Sequence, residues 1–304
     1  MKATVFAPAT IGNVGPGFDC LGLAVDGVGD KISVTLSHEG EDTLISVSGI
    51  DSRGVPEDPN RNSIFIAGKQ FLKSKSLDYK LQVSVERGIP ISGGLGSSAA
   101  AALGGALATA YASQRQFNQE EILDAALAGE GFTSGRHLDN IAPCFLGGLT
   151  FVLSNEPPKI YPLIEKCNWH LALITPQVRM PTKKARKVLP ESSPRGEWIS
   201  VMANSIGMSH AFSQQNPSLL SQLCDPFAEP RRSGFIPNYE QLKSSALNSG
   251  ALYCGISGAG PTLFAICETK EIASAVVDAM KEQLTNKPRF SHVGQVAMKG
   301  AHRL

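Results

Sequence analysis

The sequence has 304 residues, of which 42% are hydrophobic and 18% are charged, and its formal net charge is +1 at pH 7. A chain of this length and apolar content buries one large core or two modest ones, which excludes intrinsic disorder. The near-zero charge excludes the broad positive surface of a nucleic-acid or anionic-membrane binder, so we expect neither kind of partner. Any anion site must therefore be local.

The cysteines and the start of the chain bear on its cellular location. No two of the six cysteines stand at the spacing of a zinc or redox motif. Residues 1–8 lack the pattern of an export signal, so we expect free thiols in a cytoplasmic protein. Residues 88–114 carry no charged side chain, but their many small residues predict a turn and a buried helix rather than a membrane span.

Period-two alternation predicts strands in the first half of the chain, and apolar spacing of three and four residues predicts helices. In chain order, these are strands at 1–7, 22–36 and 44–48, a helix at 63–73, a strand at 81–85, a helix from Ser97, a helix at 119–129 and a strand at 147–153. The strands are typical of a partly solvated antiparallel sheet.

A proline-containing break follows, and it places a lobe boundary near 155–168, with domains at 1–160 and 161–304. Downstream, the predicted elements are a strand at 170–175, a helix at 182–189, one or two helices within 195–224, a helix at 237–249, strands at 251–256 and 262–267, and a helix at 271–285. This order favours an α+β fold, with a sandwich in each lobe, over a doubly wound parallel sheet.

Three glycine clusters hold the most informative residues. The first, at 90–100, lies between a predicted strand and a predicted helix, an arrangement in which backbone N–H groups and the helix dipole favour phosphate. No lysine follows its last glycine, which excludes a Walker A loop. On the residues alone, a tight turn with Ser97 or Ser98 capping the helix is the alternative, and one of these serines could also reach magnesium.

The other two clusters are less specific. The segment 7–19 is too rich in glycine and proline for a regular element and predicts a fixed loop that presents Asn13 and Asp19. The alternative is that these two side chains satisfy their own turns. The segment 255–262 lies between two apolar strands and predicts either a bulged hairpin or a second glycine loop packed against the first.

Taken in this order, the three clusters resemble the signature segments of the kinase family named for galactokinase, homoserine kinase, mevalonate kinase and phosphomevalonate kinase (GHMP kinases). The segments 135–143, 182–190 and 229–232 are similar to the branch that phosphorylates homoserine. The resemblance covers residues 3 to 270. One departure is Ser92-Gly93, where that branch more often has glycine and then serine, and we expect little effect.

The resemblance implies an N-terminal ATP-binding lobe and a C-terminal ferredoxin-like α/β sandwich lobe. It implies that magnesium is held by Ser98 and Glu130, although Glu130 could merely end a helix. The implied ATP-binding residues are Pro90, Ile91, Ser92, Gly93, Gly94, Leu95, Gly96, Ser97, Ser98, Ala99 and Ala100.

The implied acceptor is L-homoserine, a zwitterion whose phosphorylation leads toward threonine. Its site needs cations for the carboxylate and an acceptor for the ammonium group. The residues implied around it are Asn13, Asp19, His137, Arg186 and Arg232, with Asp19 facing the ammonium and the two arginines facing the carboxylate. Simpler interpretations are a solvated basic helix face for Arg186, an ion pair with Glu229 for Arg232 and a structural role for His137.

The reaction itself needs alignment and charge neutralisation more than a strong base. We expect Asn140 to orient the substrate hydroxyl, while Asp139 is either a weak general base or a structural partner. The alternatives are a mevalonate-type kinase and a non-catalytic nucleotide-binding relative. The oligomeric state stays open, although relatives are often homodimers.

Overall fold

The computed structural model describes residues 1–133 and 135–304. The strands are β1 (Lys2–Gly12), β2 (Leu21–Ser37), β3 (Thr43–Gly49), β4 (Lys80–Arg87), β5 (Leu149–Asn155), β6 (Pro158–Pro162), β7 (His170–Thr175), β8 (Tyr253–Ile256), β9 (Leu263–Cys267), β10 (Phe290–Gln295) and β11 (His302–Arg303). The helices are α1 (Ser63–Ser74), α2 (Ser97–Ser113), α3 (Gln119–Thr133), α4 (Ile141–Leu146), α5 (Thr182–Lys187), α6 (Arg195–Gln214), α7 (Pro217–Leu220), α8 (Glu229–Arg232), α9 (Tyr239–Asn248) and α10 (Lys270–Glu282).

The first sheet has the strand order β11-β1-β2-β4-β3, and β5 and β6 extend it from β2. Its pairs are antiparallel except for β3 with β4. Helix α2 packs directly on β1 and β2, and α1 and α3 pack against α2. A Cβ atom on Gly104 would lie 2.2 Å from Ile32 Cδ1, so the absence of a side chain there lets α2 approach the sheet closely.

The second sheet has the antiparallel order β10-β7-β9-β8. Helices α9 and α10 pack against it, and α5 to α8 lie between β7 and α9 along the chain. The succession β7-α9-β8-β9-α10-β10 is the βαββαβ arrangement of ferredoxin-like folds. The predicted α+β fold with a ferredoxin-like second lobe is therefore confirmed.

The predicted helices and strands are present, with ends shifted by a few residues. The expectation that the whole of 7–19 is a loop was wrong for 7–12, which continue β1 and pair with β2. The pairing register shifts between Pro8 and Ala9, and a bulge accommodates a proline because the ladder is locally disrupted there. The loop proper is 13–20, and it connects β1 to β2.

Three short strands were not predicted. Strand β6 pairs with β5, β10 forms an edge of the second sheet, and β11 pairs with β1 although it has two residues. The first sheet thus holds β6 and β11, and the second begins with β7.

The domain limits of 1–160 and 161–304 stay a prediction. In the part of the chain that the structure describes, no helix is long and apolar enough to span a membrane.

Candidate active site

The three glycine clusters meet at one cleft of about 440 Å³. The turn between β8 and β9 supports the glycine loop that joins β4 to α2, because Thr262 N donates to Gly93 O (3.1 Å) and Ser257 Oγ donates to Gly94 O (2.6 Å). It also supports the end of β1, where Gly258 N donates to Gly12 O (3.0 Å). The segment 255–262 is thus a hairpin connection that packs against the first glycine loop.

The glycine loop leads directly into the N-terminus of α2. Gly94 and Gly96 have φ angles of +83° and +66°, and Gly96 is the N-cap residue. Among the described residues no side chain caps the helix, so the capping role considered for Ser97 or Ser98 is wrong. Uncapped N–H groups and the positive end of a helix dipole are features that suit an anion in the cleft.

The loop residues divide into two groups. Those that line the cleft are Ile91, Ser92, Gly93, Gly94, Gly96, Ser97 and Ser98. Pro90, Leu95, Ala99 and Ala100 are buried and lie outside the cleft lining, so their side chains serve packing. Of these four, Leu95 fixes the loop to β1, because its carbonyl accepts from Thr10 N (3.2 Å).

A buried ion pair lies next to the glycine loop, and the sequence did not suggest it. Arg87 Nη2 donates to Ser97 Oγ (2.7 Å) and Ile89 O (2.8 Å), and Arg87 Nη1 lies 3.5 Å from Asp30 Oδ2. Asp30 Oδ1 accepts from the amides of Gly88 (2.9 Å) and Ile89 (3.0 Å). Burial raises the pKa of Asp30, although Arg87 and these amides oppose the rise.

Ser98 and Glu130 share one corner of the cleft. Ser98 Oγ is hydrogen-bonded to Thr133 Oγ1, which donates to the Glu130 carbonyl (3.1 Å), and the Glu130 side chain is buried in the cleft wall. Hydroxyl and carboxylate oxygens suit Mg²⁺, which usually takes few protein ligands and completes its shell with phosphate and water. The described residues contain no group of three or more His, Cys, Asp or Glu side chains arranged for a metal.

The acceptor end of the cleft is the part lined by the residues predicted around the acceptor, which are Asn13, Asp19, His137, Arg186 and Arg232. The backbone N–H of Asp19 donates to Asn13 Oδ1 (3.1 Å), and Asn13 Nδ2 donates to Gly258 O (3.3 Å). The Asp19 carboxylate binds the Arg186 guanidinium through two hydrogen bonds of 2.9 and 2.8 Å. His137 Nδ1 lies 3.7 Å from Asp19 Oδ2, and burial lowers the pKa of His137 more than Asp19 raises it. Arg186 therefore lines the cleft and pairs with Asp19 rather than forming part of a solvated basic face.

Arg232 is buried at the end of α8, where Nη1 donates to Gly258 O (2.8 Å) and Nε to Ala185 O (3.1 Å). The side chain of Asp225 fixes this helix by accepting from the backbone amides of 227, 228 and 229. Glu229 pairs with Lys243, so the suggested ion pair between Arg232 and Glu229 is wrong. Burial lowers the pKa of Arg232, and the nearby Arg186 lowers it further.

The ring of Phe18 lies against both arginines, a contact that no pattern in the sequence indicated. The guanidinium carbon atoms of Arg186 and Arg232 lie 5.3 and 5.4 Å from the centre of this ring. Contact with an aromatic face stabilises a guanidinium, and two such contacts hold like charges near one another. The acceptor end therefore presents one carboxylate and two cations.

Asp139 and Asn140 lie between the acceptor end and the glycine loop. Asn140 Oδ1 accepts from Thr10 Oγ1 (2.9 Å), and its Nδ2 donates to Asp139 Oδ2 (3.0 Å). Burial, followed by the charges of Asp19 and Glu130, raises the pKa of Asp139 to about 7. Gly12 leaves room for this pair, because its Cβ atom would lie 2.5 Å from Asp139 Oδ2. Thr10 is a positioning residue that the sequence did not reveal.

The residues predicted around the acceptor and the metal therefore share one cleft. Residues 54–56 and 61–64 form another part of the cleft wall, which was not anticipated. A glycine loop ahead of a helix, next to an acceptor end with paired charges, can align a phosphoryl donor with a small charged alcohol.

The family model for the GHMP kinases N terminal domain matches residues 63–148, and that for the GHMP kinases C terminal matches residues 208–286. The solved homoserine kinase from Cytophaga hutchinsonii is 31% identical with a TM-score of 0.93, over 100% of this chain and 97% of that chain. A candidate homoserine kinase from Listeria monocytogenes is 21% identical with a TM-score of 0.76, over 100% and 99%. A protein solved with MVAPP, AMPPCP and magnesium is 15% identical with a TM-score of 0.71, over 100% and 99%.

The fold and the cleft together define a small-molecule kinase. The chain belongs to the GHMP kinase family, whose members use ATP with Mg²⁺.

Proposed function

We propose that this kinase transfers the γ-phosphoryl group of ATP to the side-chain hydroxyl of L-homoserine, giving ADP and O-phospho-L-homoserine for threonine biosynthesis. The observation that carries the proposal is the set of charges at the acceptor end, one carboxylate (Asp19) and two guanidiniums (Arg186 and Arg232). Homoserine has one ammonium and one carboxylate group, which this set complements. The 31% identity to a homoserine kinase supports the same acceptor.

Homoserine binding exchanges one set of ionic contacts for another. Asp19 and Arg186 neutralise each other through two hydrogen bonds. A zwitterion can separate them at little electrostatic cost, because its ammonium group takes the Asp19 carboxylate and its carboxylate takes Arg186 and Arg232. An acceptor without an ammonium group leaves Asp19 paired with Arg186 and makes its ionic contact with Arg232 alone. We therefore expect α-amino acids, which also make the contact with Asp19, to be used better than simple hydroxy acids such as mevalonate.

The phosphates of ATP bind along 91–98, at the uncapped N-terminus of α2. With the acceptor end assigned to homoserine, the wall formed by 54–56 and 61–64 is left for the nucleoside. Ser98 and Glu130 hold Mg²⁺, which when bound neutralises charge on the phosphate oxygens.

Asn140 orients the homoserine hydroxyl toward the phosphates. Its side chain is fixed at both ends, by Thr10 Oγ1 and by Asp139 Oδ2, so the position of its amide is well defined. Phosphoryl transfer through a loose transition state asks little of a base, and orientation of the nucleophile contributes more. Asp139 then acts by holding Asn140.

Asp139→Asn is expected to lower kcat by less than about tenfold, because asparagine keeps an oxygen that accepts from Asn140 and a strong base is not required. Asp139→Ala removes that oxygen and should lower kcat further. Steady-state kinetics with melting temperatures for both variants test this order. A much larger loss in Asp139→Asn, at a native melting temperature, would establish Asp139 as the general base.

An ADP-release assay with Mg²⁺ tests the proposed function. Homoserine, serine, threonine and mevalonate are offered separately to the purified protein with ATP. We expect ADP release with homoserine well above that with the other three. Failure of homoserine to stimulate release, or a higher rate with mevalonate, contradicts the proposal.

A further inference from the structure

The side chain of Arg87 lies in an unusual electrostatic position. Arg87 ends β4, its side chain is 4% exposed, and it donates to the hydroxyl of Ser97, the first residue of α2. The N-terminus of a helix carries a partial positive charge, which makes a buried cation there unfavourable. The position therefore needs a compensating anion.

The nearest carboxylate compensates this cation incompletely. Asp30 Oδ2 lies 3.5 Å from Arg87 Nη1, and Asp30 Oδ1 is used by the amides of Gly88 and Ile89. Within residues 1–133 and 135–304, neither Asp30 Oδ2 nor Arg87 Nε has a hydrogen-bond partner. Arg87 and Ser97 both line the cleft, so the cationic member of this ion pair is the one that a ligand there meets.

The contacts of Arg87 also connect the two ends of the loop. One nitrogen, Nη2, donates both to Ile89 O (2.8 Å), before the glycines, and to Ser97 Oγ (2.7 Å), after them. In the described part of the chain, Arg87 is the hydrogen-bond partner of Ser97 Oγ. Because the hydroxyl oxygen accepts from Arg87, its own hydrogen is available to a ligand in the cleft.

We propose that Arg87 is a positioning residue for the phosphoryl donor: it holds the ends of the glycine loop, supplies buried positive charge and orients the Ser97 hydroxyl so that it donates to a phosphate oxygen of ATP. This inference rests on the proposed use of the loop for ATP. It does not depend on which acceptor is phosphorylated.

Direct nucleotide binding by the full-length protein tests the proposal without any acceptor. The Kd values of ATP and adenosine are measured by calorimetry for the wild type, Arg87→Lys, Arg87→Met and Ser97→Ala. We expect the Kd of ATP to rise about threefold to tenfold in Ser97→Ala and Arg87→Met, and less in Arg87→Lys, which keeps the charge. The Kd of adenosine should not change, because adenosine has no phosphate.

Ser113→Ala is the matched control, since Ser113 is a buried serine at the other end of α2 whose Oγ donates to Ala110 O. If Arg87→Met does not fold, Ser97→Ala keeps the test decisive, because it leaves the buried ion pair in place.

An ATP-to-adenosine Kd ratio equal to that of Ser113→Ala overturns the proposal. Failure of the wild type to bind ATP overturns it as well, together with the proposed function. ATP binding without phosphorylation of homoserine would reject the acceptor alone.

Discussion

Arg232→Ala is expected to raise the KM for homoserine by about tenfold or more, because a charged hydrogen bond worth ~1.5–3 kcal/mol to the substrate carboxylate is lost. The KM for ATP should change little, since the glycine loop has no hydrogen bond to Arg232 within the described residues. Steady-state kinetics with each substrate varied in turn measure both constants. Because the arginine is buried, the melting temperature of the variant is measured alongside.

Arg231→Ala supplies a control from the same helix. The Arg231 guanidinium donates to Glu197 Oε1 (2.8 Å) and Phe227 O (2.7 Å) and does not line the cleft. Its removal costs a hydrogen bond to a backbone carbonyl and an aromatic contact, as Arg232→Ala does, and in addition an ion pair, so it matches the substitution without touching the acceptor. We expect the KM for homoserine to stay near that of the wild type in this variant.

A substrate analogue separates recognition of the carboxylate from a general effect on the fold. The analogue 3-aminopropan-1-ol is homoserine without its carboxylate, so the wild type should use it poorly. Arg232→Ala should then use this analogue about as well as the wild type does, because the analogue has no carboxylate for Arg232 to bind. An equal loss of kcat/KM on homoserine and on the analogue would mean that Arg232 acts on the fold and not on the carboxylate.

The sequence predicted best those features that depend on local pattern. The helix at 63–73 and the strand at 81–85 follow from apolar spacing over fewer than fifteen residues, and they agree with α1 and β4. The glycine cluster at 90–100 could be interpreted because its neighbours in the chain, a strand and a helix, define what the loop connects. The same reasoning missed β11, whose two residues pair with a strand almost 300 positions earlier.

Contacts between distant residues account for most of what was missed at the site. Asp19 and Arg186 are separated by 167 positions, and the family resemblance assigned them to opposite ends of the substrate without indicating that they pair with each other. Thr10 and Asn140 are 130 positions apart, and Thr10 lies two positions after Pro8 in a segment expected to be irregular. Arg87 is the exception, because a cation directly before a phosphate loop could have been singled out from its position.

The glycine requirement at Gly96 leads to the largest expected loss of activity. A Cβ atom there would lie 1.9 Å from Thr10 Oγ1 and 3.1 Å from Asn140 Oδ1, and the residue has a φ of +66°. Alanine would therefore strain the backbone and push apart the pair that fixes Asn140. Since misplacement by about 1 Å can cost about a hundredfold in rate, we expect kcat/KM to fall at least that far in Gly96→Ala.

Gly40→Ala separates backbone strain from displacement of Asn140. Gly40 also has a positive φ (+89°), but a Cβ atom there would meet nothing within 4 Å. Both alanine variants should lose about 1–2 kcal/mol of stability from the left-handed backbone, measured by denaturant unfolding. Gly40→Ala should keep its activity, because the strain is remote from the cleft. If Gly96→Ala keeps more than about a tenth of the wild-type kcat/KM, phosphoryl transfer does not depend on the exact positions of the loop and of Asn140.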